Sequence, residues 1–107
     1  MGHDLPSIVS RVRSMLDPRS PDPSQPLLTE MEHTLTDGYA RALLLEAERL
    51  RLERQIGELA RRIEGPDEAG QLRMLAQRLR NADEDLAGLR DLLSELQRLV
   101  EAQRAAA

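Results

Sequence analysis

Residues 62–71 read Arg-Ile-Glu-Gly-Pro-Asp-Glu-Ala-Gly-Gln, and they interrupt two long stretches of helical character. Either this segment kinks a single helix or it reverses the chain, and the two outcomes give different folds. Gly65 is a natural C-terminal stop for a helix, and Pro66 lacks the amide donor that a helix interior needs. Asp67 and Glu68 then suit the positive end of a new helix. The segment therefore predicts a turn at residues 65–66 between helices of about 27–64 and 67–104.

The residues on either side support a reversal. Leu28, Met31, Leu35, Gly38, Ala42, Leu45, Arg49, Leu52, Ile56, Leu59 and Ile63 alternate by three and four. Leu72, Leu75, Leu79, Ala82, Leu86, Leu89, Leu93, Leu96 and Val100 do the same, which is the heptad pattern of a helix–helix seam. A kinked single helix leaves both seams bare within the monomer. If Ile63 faces Leu72, facing positions sum to about 135, and the seams register throughout. Leu52 then meets Ala82, Ala42 meets Leu93, Gly38 meets Leu96 and Leu35 meets Val100, with small residues opposite large ones. Arg49 is the one charged seam position. Its methylenes are expected to lie along the seam while its guanidinium turns outward to Asp83 or Asp85.

The expected fold is all-α, an antiparallel two-helix coiled-coil hairpin (27–107) preceded by an N-terminal arm (1–26). In the arm, Leu5, Ile8, Val9, Val12, Met15 and Leu16 predict an amphipathic helix over 5–16, with Asp4 as its cap and Pro6 in its first turn. Residues 17–26, DPRSPDPSQP, predict an extended tether. Thr29 and Glu32 have capping-box spacing at the start of the second helix.

A two-helix hairpin buries one stripe per helix, and residues 39–50 carry more apolar surface than one stripe holds. Tyr39, Leu43, Ala47 and Leu50 form a second row about 100 to 140 degrees from the first. Leu44 adds to it, and Leu92 and Leu99 on the other helix also lie off the seam, level with residues 39–50 by the pairing rule. These seven residues are the expected oligomer interface, through which two hairpins would dimerise into a four-helix bundle. The N-terminal arm is an alternative cover for the same surface, a swapped element, or a helix offered to another protein.

Composition narrows the chemistry. The 107 residues contain no Cys, Trp or Phe, one Tyr, and fifteen basic side chains that are all Arg. A core without large aromatics must be built from Leu, Ile, Val, Met and Ala, which suits thin helical seams. No segment has the length and apolarity of a membrane span, so a cytoplasmic protein without membrane association is expected. The net charge is −4 and both long helices mix acids with arginines, which disfavours nucleic-acid binding. No nucleophile–base pairing, P-loop or dinucleotide fingerprint is present. No catalytic or cofactor-binding residue is expected, no cofactor, and no enzyme. Glu30 and His33 have the Glu-x-x-His spacing of di-iron bundles, so a metal-binding bundle assembled across an oligomer is the alternative. With Leu28, Met31 and Leu35 turned inward, however, His33 points away from the seam, and no metal ligand is assigned. The leading expectation is a helical interaction protein that self-associates.

Overall fold

The computed structural model of the chain describes residues 4–17 and 28–106. Their regular structure is α-helix: α1 (Leu5–Leu16), α2 (Leu28–Ala60) and α3 (Pro66–Ala106), with no strand among the described residues. None of these helices is long and apolar enough to cross a membrane. The tether expected over 17–26 falls outside the described residues except for Asp17, as does His3.

α1 begins and ends where its pattern indicated. Asp4 stands outside the helix with φ −75° and ψ 157°, and its carboxylate accepts the amide of Ser7 at 3.3 Å. The Ser7 hydroxyl, and then the Ser7 backbone amide, hold the Asp4 carboxyl below its ordinary pKa. Pro6 lies in the first turn, where its missing N–H removes no hydrogen bond.

The connection between α2 and α3 differs from the expected two-residue turn. α2 ends at Ala60, and Arg61 to Gly65 form the link. The Arg62 amide bonds the Leu59 carbonyl at 2.9 Å, a tighter bond than the helical ladder and typical of a last turn. Gly65 does not close α2. No described glycine has a positive φ, and the Gly65 carbonyl instead receives the Ala69 amide at 3.3 Å, as a residue capping the start of α3 does. Pro66 is the first residue of α3. The physical reason is that proline disfavours helical geometry in the residue before it and clashes with the carbonyl four residues back. Helix α2 therefore cannot run through Gly65 into Pro66; it ends at Ala60, and Ile63, expected as the last seam residue, is 44% exposed.

The start of α2 agrees with the expected boundary near residue 27, but the capping-box spacing is not used. The helix is already formed at Leu28, so Thr29 lies within its first turn and is not its cap. Glu32 does not turn back toward the terminus; its carboxylate meets Arg104 at 3.3 Å.

By its contacts the chain divides into two compact units, Met1–Ala42 with Gly88–Ala107, and Leu43–Ala87. In the first, α1 joins the opening half of α2 and the closing half of α3. Ile8, Val12, Met31, Leu96 and Val100 have no exposed surface, and Leu89 and Leu93 almost none. Gly38 lies against Leu93, whose δ carbons fill the space a Cβ at position 38 would take. This shifts the expected Gly38–Leu96 pairing toward the neighbouring layer. Arg11 of α1 reaches Asp37 of α2 at 3.1 Å. Thr34 is 1% exposed, with its hydroxyl donating to the Glu30 carbonyl at 2.9 Å. Thr34 and Asp37 lie off the heptad row on one flank of α2, and α1 occupies that flank. Three helices can enclose a core that two cannot, which is why burial here is so complete.

The second unit holds the rest of α2, the link and the start of α3. Leu45, Leu52, Leu59, Ala82 and Leu86 are buried, but Ile56, Leu72, Leu75 and Leu79 are only half-buried. Arg49 behaves as its position suggested: half-exposed, with its guanidinium 3.6 Å from Asp83 and 4.0 Å from Glu53.

Candidate functional site

Among the described residues, the exposed large apolar side chains are four on α2, Ile63 in the link and Met74 on α3, which is 61% exposed. Leu43 is 67% exposed, Leu44 60%, Leu50 50% and Tyr39 47%, and Ala47 is exposed beside them. α2 is unbroken from Leu28 to Ala60, so the directions of its side chains follow from about 100 degrees of turn per residue. Tyr39, Leu43, Ala47 and Leu50 fall within about 80 degrees of one another, centred about 110 degrees from the buried row. Thr34 and Asp37, where α1 docks, lie on the opposite flank.

The structure does not bring all seven expected interface residues together. Leu44 lies about 100 degrees round the helix from Leu43, outside the arc of the row. Leu92 and Leu99 are half-buried, and both sit in the first unit. There Glu32 is level with Arg104 and Gly38 with Leu93, which turns the Leu92–Leu99 side of α3 toward the flank occupied by α1. Within that unit their apolar surface lies on the side of α3 nearer α1. Spacing had shown that these residues lie off the seam. The burial of Thr34 and the Arg11–Asp37 pair carried no such signal, since both need the docked position of α1.

Charge around the row is graded along the helix. Glu32 and Arg54 occupy its two ends, and Thr36 and Arg54 are exposed on the same face. Glu32 remains 42% exposed despite its pairing with Arg104.

Glu30 and His33 both stand on the exposed surface of α2. Among the described residues no three His, Asp or Glu side chains gather into a group that would hold a metal ion. A shallow depression at the end of α2 is lined by Glu58, Arg61 and Arg62 and is open to solvent.

No protein-family model, curated protein or solved structure matches the chain. Function must be argued from its own surface.

Proposed function

We propose that the chain is an antiparallel helical hairpin acting as a non-enzymatic interaction module, and that two copies associate through the outer row of α2 to give a four-helix assembly. The exposure of Leu43, at 67% the greatest of any large apolar side chain among the described residues, within a row that includes Tyr39 and Leu50 carries this reading. Single exposed leucines are ordinary, but a continuous row at helical spacing is the usual mark of a contact surface. The mixed charge of both long helices, with a net −4, supports a protein surface as the occupant over a polyphosphate. Support for the hairpin comes from the ion pairs and contacts inside each unit, Glu32 with Arg104, Gly38 with Leu93, and Arg49 with Asp83.

The magnitude is modest. Covering the exposed half of Tyr39, Leu43 and Leu50 on two copies would contribute about 5 to 9 kcal/mol. Loss of translational and rotational freedom on association costs about 4 to 15 kcal/mol. The dimer is therefore concentration-dependent, and one misplaced charge is enough to abolish it. Sedimentation velocity between roughly micromolar and several hundred micromolar protein tests this. The unaltered chain should shift from monomer toward dimer, while Leu43→Glu and Leu50→Glu stay monomeric with undiminished helical circular dichroism. A chain that remains monomeric throughout would remove the proposal.

A further inference from the structure

We infer that α1 is a displaceable occupant of a helix-docking groove within the first unit. It lifts off while α2 and α3 stay paired there, and the groove accepts an amphipathic helix of a partner protein that reproduces α1's chemistry. That chemistry is a pair of β-branched anchors one turn apart with an arginine beside them.

Two sets of contacts in this unit are separable. Glu32 with Arg104 and Gly38 with Leu93 tie α2 to α3 directly and involve no residue of α1. On α1, Ile8 and Val12 are fully buried, whereas Leu5, Val9, Met15 and Leu16 are only half-buried. The Arg11–Asp37 pair, at 3.1 Å, leaves its two side chains 36% and 23% exposed. So few anchors, on a helix of 12 residues that is marginal alone in water, make α1 the first element of the unit to open.

The surface beneath α1 defines its ligand. Met31, Leu96 and Val100 give the unit an apolar floor. Thr34 adds no free hydroxyl proton, because it is donated to the Glu30 carbonyl at 2.9 Å. Asp37 sets a carboxylate at the rim. A fitting helix therefore carries apolar anchors at positions i and i+4, as Ile8 and Val12 do, and a basic group at i+3, as Arg11 does. An acidic helix is disfavoured.

The unaltered full-length chain gives the first test. In hydrogen exchange the central amides of α1 should be protected about a hundredfold, as for an open state populated near 1%, and the seam amides of α2 and α3 far more. Equal protection would mean that α1 opens only when the unit unfolds, which overturns the inference. The second test uses a fluorescently labelled peptide of residues 4–17 and the full-length chain carrying Ile8→Asp and Val12→Asp, which frees the groove. The peptide should bind this chain about a hundredfold more tightly than the unaltered one, whose groove is occupied. Adding Asp37→Arg should weaken that binding by up to about fivefold, and an Arg11→Asp peptide should recover it. A variant that stays helical by circular dichroism yet binds no peptide would overturn the inference, as would indifference to the charge reversal. Loss of helicity beyond α1 would do the same, by showing that the α2–α3 pair depends on α1. None of these outcomes bears on association through the outer row of α2.

Discussion

Two glycines in helix interiors show how local context sets the sign of a substitution. Alanine is favoured over glycine in a helix by about 1 kcal/mol, mainly because glycine loses more backbone freedom on folding. At Gly88 a new Cβ would meet nothing within 4 Å, so Gly88→Ala should raise stability by about that amount. At Gly38 the same methyl group enters the space held by the δ carbons of Leu93, which is itself 1% exposed and enclosed on all sides. Overpacking of this kind costs about 1 to 3 kcal/mol, so Gly38→Ala should be net destabilising by up to about 2 kcal/mol. Urea denaturation of the two variants decides it, and equal stabilisation would mean that Leu93 does not hold this position. The heptad register brought Gly38 and Leu93 within a layer of each other from sequence alone. The closeness of the contact was not legible, because it depends on which rotamer Leu93 adopts.

Among the elements, α1 depends most on its partners. A helix of 12 residues is marginal alone in water, so its stability comes from docking. Ile8 and Val12, one turn apart, are fully buried, and Ile8→Ala should cost about 2 to 5 kcal/mol in denaturant-measured stability. Amide exchange should show the loss first in residues 5–16. The cap adds a pH dependence. Asp4 is held ionised by Ser7, so its folded pKa lies below its unfolded value. A depressed carboxyl contributes its full share of stability above the unfolded pKa, and that share is lost as pH falls through the folded one. Exchange protection in the first turn of α1 should therefore fall on acidification below about pH 4, and Asp4→Ala should reduce that protection at neutral pH and flatten the acid response. The bounds of α1 were readable because an N-cap, a first-turn proline and a clean apolar period all agree. The end of α2 was not. Its apolar row runs on to Ile63, and nothing in that row marks Ala60 as the last helical residue.

At the scale of the whole molecule, folding and association are linked. A dimer that forms only from folded chains is stabilised by mass action, so its unfolding midpoint rises with concentration. An unfolding enthalpy near 0.7 kcal/mol per residue implies a shift of about 3 °C for each tenfold increase, once the protein is concentrated enough to be dimeric. Leu43→Glu should remove the concentration dependence. It should leave the midpoint of the dilute protein nearly unchanged, because an exposed substitution alters monomer stability by only about 0.5 kcal/mol. The contrast with Ile8→Ala is informative, since that change lowers the midpoint at every concentration. Scanning calorimetry at three concentrations would separate the two. If Leu43→Glu instead lowered the midpoint equally at all dilutions, Leu43 would be contributing to the fold of its own chain, and the outer row of α2 would no longer be available to hold a second copy.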